Sequence, residues 1–371
     1  MTPFAEFFGL ADPNRSTFVL SPERDPGLLV GMDGLIPFLE ERAQDAPTAP
    51  KAILFGEYGT GKTHALRFVE HVLAPKRRMK PVFLTLSNFG ARSTFSDVHV
   101  RVMNALDESL QQMLQRWPTA DHAIDANGRL SQDMKRALKL LRNPNTTPKD
   151  RATARTWLMG IGPTPTQARN MGLAGRLFES AGPVELVNLW KGLGELWATA
   201  IGERLLLLLD EGESFSKVTD VQAQASLGTG LRELFDQDNA AIGIFLAANT
   251  PDVRVGVHPL RRSDFESRIA GKHFTLQGLA DPGHVEHFIH GWWKLIGHPG
   301  TRLLEDGAVR IISTRLKELR DVLAVRPQTA SKPTQRNLMD VLAFVGRRAM
   351  EENHRPPISE VHIRRWFALK S

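Results

Sequence analysis

The stretch Gly56-Glu57-Tyr58-Gly59-Thr60-Gly61-Lys62-Thr63 has the spacing G-x-x-x-x-G-K-[ST], and the chemistry of that spacing is phosphate binding. Glycines there let main-chain N–H groups converge on phosphate oxygens that a Cβ would obstruct, and the N-terminus of a following helix adds its partial positive charge. Lys62 would bring an ammonium group to the β/γ oxygens, and the Thr63 hydroxyl would ligate magnesium. His64, the next residue along, is counted with the cradle. The ligand predicted is ATP with Mg2+. The competing reading, a glycine turn ahead of a surface lysine, loses ground because an apolar run precedes the motif and a helical pattern follows it.

A second signal lies in Leu205-Leu206-Leu207-Leu208-Leu209-Asp210-Glu211. This is a buried strand whose carboxyl end delivers two acids to the edge where α/β sheets bind ligands. Asp210 would hold the magnesium, and Glu211 would orient and deprotonate the attacking water. A third apolar run, 242–247, ends at Asn249, which could contact the γ-phosphate or the water, or simply open a loop. Asn88, after the apolar run 81–86, could restrain Glu211. Arg268 could reach a neighbouring subunit's γ-phosphate, against the reading of a plain surface arginine. Arg336 could fold back onto the phosphates, with Arg302 and Arg310 as alternatives for that role.

These side chains need a scaffold, and the sequence supplies a pattern for one. Residues 1–28 are rich in Pro, Phe and turn residues and read as an N-terminal arm. A helical stripe follows at 35–46, then strands at 52–55 and 81–86 on either side of a helix starting near Lys62. Residues 94–203 carry only helical patterns, at 98–117, 131–141, 149–159 and 183–201. Strands at 205–209 and 242–247 then flank a helix at 223–236. Unbroken apolar strands alternating with helices predict a parallel sheet joined by right-handed crossovers. From about residue 280 the chain reads as helices at 282–296, 305–323, 335–352 and 359–369. The fold class predicted is therefore α/β: a P-loop NTPase domain over 29–279 with a helical insertion at about 94–203, and a C-terminal α-helical lid over 280–371.

Composition narrows the partners. The chain has 371 residues and no cysteine, which excludes disulfides and thiolate metal sites. With no leader-like start, this leads to the expectation of a cytoplasmic protein. The longest strongly apolar run is far below the roughly 20 residues that span a bilayer, so no membrane partner is expected. Lys and Arg number 47 against 41 acidic residues, a net charge of +6, which modestly favours a polyanion and makes DNA a candidate partner. The doublets Arg77-Arg78, Arg261-Arg262, Arg347-Arg348 and Arg364-Arg365 are each read as solvated helix ends or loops. Trp292-Trp293 reads as core before partner surface.

The order of these motifs resembles the AAA+ superfamily, and within it the replication-initiator clade of the origin recognition complex. Leu29-Val30-Gly31-Met32-Asp33-Gly34-Leu35 resembles the segment that flanks the adenine there, which makes Val30 a nucleotide-contacting candidate. Ser267-Arg268 resembles the arginine-finger box, and residues 334–348 resemble the lid helix whose arginine, here Arg336, senses the phosphates. Within the insertion, Thr156-Trp157-Leu158-Met159-Gly160 and Thr166-Gln167-Ala168-Arg169-Asn170-Met171-Gly172-Leu173, with the later Leu209-Asp210-Glu211-Gly212-Glu213, are similar to ATP-binding proteins of bacterial BREX-type phage-defence loci. The chain departs from them at Gly160-Ile161-Gly162-Pro163. It stops at Ser371, so no winged-helix domain is expected after the lid.

The resemblance implies an ATPase that oligomerises through shared ATP sites and acts as a switch or loader for a protein partner in a DNA-acting system, in anti-phage defence or a related transaction. The alternative is a nucleotide-dependent scaffold or recruitment module with little turnover. A metabolic phosphotransferase fits the long insertion and the lid less well.

Overall fold

The computed structural model describes residues 1–30, 34–44, 49–236, 240–249, 267–279, 281–323 and 333–369. They fall into two compact units: residues 1–37, 55–71 and 275–371 form one, and residues 38–54 and 72–274 the other.

The second unit is built around the sheet. Its strands are β1 (Lys51–Gly56), β2 (Met79–Thr85), β3 (Arg204–Asp210), β4 (Ile242–Ala248) and β5 (His273–Leu276), in the spatial order β2-β3-β4-β1-β5. The last two residues of β1 and of β5 count with the first unit. β3 pairs in parallel with β2 and with β4. Every residue of β4 and all but the first of β3 are buried, as strands covered on both faces must be. The fold class is thus the α/β architecture expected from the sequence. β5 escapes sequence reading because it is four residues long and mostly not buried, so it shows neither an apolar run nor alternation.

Residues 94–203 hold helices and turns and no strand. They comprise α5 (Phe95–Arg116), α6 (Ala120–Ala126), α7 (Gln132–Arg142), α8 (Pro148–Met159), α9 (Pro165–Asn170), α10 (Leu177–Ser180) and α11 (Pro183–Ile201). α9 lies in a stretch whose Gly and Pro content reads as loop. Its Thr164 side chain caps the Gln167 N–H at 3.3 Å and Pro165 sits in the first turn, so local capping makes a helix too short to show periodicity. α12 (Val221–Phe235) follows β3 and packs closely on α5: a Cβ on Gly230 would lie 2.1 Å from the Phe95 ring.

The insertion is held by a buried polar relay. His99 on α5 is fully buried. Its Nδ1 accepts the Trp190 Nε1–H from α11 at 3.0 Å, so its Nε2 carries the proton and donates to Leu158 O at the end of α8, at 2.8 Å. Burial pushes the His99 imidazole down to about 4 from the ordinary 6.5, partly opposed by the hydrogen bond to Leu158. Because the folded state refuses a proton that the unfolded chain accepts, the unfolded state binds more protons between these two values. The stabilisation is therefore complete above pH 6.5 and is lost as pH falls through that window. The shift corresponds to roughly 3 kcal/mol. Thermal unfolding followed from pH 7.5 to pH 4 should show the transition falling steeply below pH 6.5, with a flatter profile in His99→Gln. An unchanged profile in the variant would remove His99 as the cause.

The first unit gathers both chain ends. The arm contributes α1 (Pro3–Phe8), α2 (Leu35–Ala43) begins in this unit, and the C-terminal segment contributes α13 (Pro282–Ile296), α14 (Asp306–Leu323), α15 (Gln335–Glu351) and α16 (Glu360–Trp366). Phe18 anchors the arm. Its ring meets Phe4 at 4.8 Å, Phe8 at 4.6 Å and Trp292 at 5.4 Å between centroids, and Gly346 leaves room for it on α15. Trp292 is fully buried and Trp293 is 8% exposed, so this pair belongs to the core. The arm shows no periodicity because its aromatics pack from irregular chain on surfaces supplied by other helices. Among the described residues, no helix is long and apolar enough to cross a membrane.

Candidate nucleotide site

The glycine-rich loop belongs to the first unit, between β1 and α3 (Lys62–Phe68), which continues through Val69–Leu73 into the short α4 (Ala74–Lys76). Gly59 and Gly61 take φ of +83° and +91°, a region costly for residues with a Cβ. A Cβ on Gly56 would lie 2.5 Å from Thr60 Oγ1 and 3.2 Å from Leu276 O. Packing and backbone conformation thus keep these positions free of side chains, and a loop of bare main chain fits the approach of a phosphate tail. Lys62 is 8% exposed, and its Nζ donates to Gly56 O and Glu57 O, both at 2.9 Å. The ammonium is thus held over the loop's own carbonyls, in contacts that phosphate oxygens can replace. Thr60 is buried and donates to Glu57 O at 2.8 Å.

Arg336 lies beside this loop. Its N–H donates to Gly59 O at 3.2 Å, its Nη1 donates to the Tyr58 hydroxyl at 2.5 Å, and its guanidinium sits 5.3 Å from the Tyr58 ring centroid. A capping box starts α15, with Asn337 Oδ1 accepting the Thr334 N–H at 2.9 Å. Of the three arginines weighed for this role, Arg336 is the one with contacts to the loop; Arg302, ahead of α14, pairs with Asp306 at the start of that helix, at 3.3 Å. The Tyr58–Arg336 contact escapes sequence reading because Tyr58 occupies a position where the motif accepts any residue.

Gly59 thus faces two demands. A Cβ there would meet Thr334 Oγ1 at 2.8 Å and Arg336 Cβ at 3.0 Å in addition to the strained φ. Gly59→Ala should weaken ATP binding about tenfold, for a strain and displacement cost of roughly 1–2 kcal/mol. Gly90→Ala, where a Cβ would meet nothing within 4 Å, should leave binding unchanged. Calorimetric titration of both variants checks this, and equal affinities would contradict it.

His64 ties the cradle helix to the arm. It is 8% exposed and its Nε2 lies 2.7 Å from Asp25 O. A carbonyl only accepts, so Nε2 carries the proton. Burial lowers the His64 pKa, while the Asp25 carbonyl and the nearby acids raise it. The Asp25 carboxylate is itself clamped by Arg15, by Arg24 Nη2 at 2.9 Å and by the Ser21 N–H at 3.0 Å. Burial raises the Asp25 pKa, and the Arg24 and Ser21 hydrogen bonds with the Arg15 charge more than offset it, leaving it below the usual carboxylate value. Nothing in the arm's residue types marks this clamp in advance. Val30 is 6% exposed and sits in the apolar cluster of this unit, 3.3 Å from where a Cβ on Gly291 would stand. Its neighbours Gly31, Met32 and Asp33 lie outside the described residues.

The acids belong to the second unit. Asp210, 5% exposed, ends β3, and its Oδ1 accepts the Glu211 N–H at 2.9 Å. Glu211 is exposed and takes φ +59°, ψ +38°. A left-handed glutamate costs of the order of 1 kcal/mol, and such strain gathers at working sites. Gly212 must follow it, because a Cβ there would stand 3.0 Å from Ala247 O. Leu86 donates its N–H to Asp210 O at 2.8 Å, and Asn88 just beyond is also left-handed, with φ +66°. Asn249 donates its N–H to Glu213 Oε2 at 3.2 Å. This acid, two residues after Glu211, was not among the sequence candidates. Arg268 pairs with Asp236 of its own chain at 2.5 Å.

No protein-family model matches the chain, and no curated protein matches it. Among solved structures it is similar to Cdc6p of Pyrobaculum aerophilum, at 14% identity and a TM-score of 0.45 over 93% of this chain and 67% of that one. It is also similar to ORC2 of Aeropyrum pernix in ADPNP–ADP complexes, at 14% identity and a TM-score of 0.45 over 96% of this chain and 70% of that one. The ADP form of the same protein gives 14% identity and a TM-score of 0.40, over 96% and 71%.

Proposed function

We propose that this chain is an AAA+-type ATPase that binds ATP with Mg2+ and hydrolyses it as an oligomeric switch or loader for a DNA-acting protein partner. The observation that carries the reading is the conformation of the loop 56–63. Two left-handed glycines and a buried lysine open a helix there, and such a helix start favours an anion through its main-chain N–H groups and its partial positive charge. Thr63 and Asp210 would hold the magnesium, which when bound draws charge from the phosphate oxygens. Glu211 would accept a proton of the attacking water, whose oxygen bonds to the γ-phosphorus as the bond from that phosphorus to the β-γ bridging oxygen breaks and ADP leaves. Lys62 and Arg336 offset the charge on the oxygens, and Asn249 orients the water or the γ-phosphate. A cytoplasmic setting, from the absence of cysteine, and a role in bacterial anti-phage defence, through the Trp157-Leu158-Met159-Gly160 insertion motif, belong to this reading.

Arg268 is the residue by which oligomerisation would complete a neighbour's site. Its ion pair with Asp236 must open for it to do so, which makes the pair a latch released by assembly. Arg268→Ala should abolish turnover while ATP binding survives, and mass photometry should find larger particles with ATP than without it. Full turnover in the variant would count against a shared site. That same ion pair favours one alternative, a nucleotide-dependent recruitment module with little turnover, in which Arg268 stays paired. Under that reading Glu211→Gln would leave both phosphate release and recruitment unchanged.

A further inference from the structure

A cleft of about 510 Å3 lies between the C-terminal turns of α5 and α11, Lys80 of β2 and Glu203, just ahead of β3 at its end opposite Asp210. Its lining includes Lys80, Met113, Arg116, Trp117, Trp197 and Ile201, and Glu203 is the one acid in it. Three features distinguish it from an ordinary surface dimple. Its volume lies within the range of ligand sites. Trp197 is 4% exposed, and its indole N–H has no acceptor among the described residues, although a buried indole usually finds one. Ile201 leaves an aliphatic side chain 42% exposed at the rim.

The charges around the cleft point the same way. Lys80 and Arg116 line it, Arg78 reaches within 3.0 Å of where a Cβ on Gly202 would stand, Lys76 and Arg77 precede Arg78, and Arg204 opens β3 opposite Met79. None of these six cations makes an ion pair or side-chain hydrogen bond among the described residues. Elsewhere in the same unit, Arg129, Lys139, Arg142 and Arg155 are each matched to a carboxylate. Indole, ammonium and guanidinium groups are donors only, so an occupant must supply acceptors, negative charge and an apolar body.

We infer that this cleft docks an acidic peptide segment of a protein partner, one that carries a bulky apolar residue. The apolar side chain fills the space between Trp117 and Ile201, a peptide carbonyl accepts the Trp197 N–H, and flanking carboxylates meet Arg116, Lys80 and the 76–78 run. Single-stranded nucleic acid fits less well, because Glu203 would face a phosphate and, with Trp197 buried, the cleft offers a base only the partly exposed Trp117 for stacking. The inference does not depend on ATP, so it stands or falls separately from the proposed activity.

The test is fluorescence anisotropy on the full chain without nucleotide, with a fluorescein-labelled octapeptide of six acidic residues around a central Leu-Phe as the probe. Saturable binding with a Kd on the order of 10–100 µM is expected. The surface variants Lys80→Glu and Arg116→Glu should each weaken it about tenfold while unfolding at the wild-type temperature. Lys149→Glu, exposed in the first turn of α8 elsewhere in the insertion, should not. Trp197→Phe, which keeps the ring but removes the donor, should weaken binding severalfold; if that variant fails to fold, the two charge variants still decide the question. Absence of saturable binding, equal binding of an octapeptide with Gly-Gly at its centre, unchanged affinity in Arg116→Glu, or stronger competition by an oligothymidylate of equal charge would each overturn the assignment.

Discussion

Lys62→Ala is expected to lower ATPase turnover by about 100- to 1000-fold, the usual cost of removing one preorganised donor from developing phosphate charge, and to weaken nucleotide binding with it. The lysine sits at the first residue of α3, is 8% exposed, and is already aimed across the loop at Gly56 O and Glu57 O. Its charge is therefore held by the fold ahead of any ligand. Trading two carbonyl contacts for phosphate oxygens replaces neutral acceptors with charged ones, and charged hydrogen bonds are worth about 1.5–3 kcal/mol each. Loss of Lys62 should leave the fold intact, since the loop's shape is fixed by Gly59, Gly61 and Thr60. A phosphate-release assay beside a thermal melt checks both halves. Wild-type turnover in the variant would remove this loop from the chemistry.

Glu211→Gln is expected to separate the two steps that Lys62 joins. Glutamine keeps the length of the side chain and can occupy the left-handed backbone of position 211, but it cannot take a proton. Turnover should fall about 100- to 10,000-fold, the range for a positioned general base, while ATP binding stays within a few-fold of wild type. Assemblies that depend on ATP should persist longer in this variant. Single-turnover hydrolysis with mass photometry on the same sample reads both effects, and loss of binding together with turnover would show that position 211 supports the fold rather than the reaction.

The sheet and the loop were legible because each writes its physics in consecutive residues. Leu205–Leu209 has to be a doubly covered strand, and Gly56, Gly59, Gly61, Lys62 and Thr63 have to bend and charge a turn. The long helices of the insertion and the C-terminal segment announced themselves by apolar spacing, as in the span Pro183–Ile201. What stayed hidden depends on contacts distant in sequence. The His99 relay joins residues 59 and 91 positions apart, and Arg336 meets Tyr58 across 278. The His64–Asp25 contact and the acceptor role of Glu213 likewise need coordinates, because neither histidine nor glutamate in those settings differs in sequence from a solvated side chain. Short elements, β5 and α9 among them, carry too few residues for a period to appear.

The central claim is that the loop 56–63 takes up a triphosphate. Isothermal titration of Mg-ATP into the purified chain, run in parallel with Lys62→Ala, measures it most directly. The predicted result is one saturable site per chain in the wild type and at least tenfold weaker uptake in the variant. Binding of equal strength in both proteins, or no heat of binding in either, would contradict it.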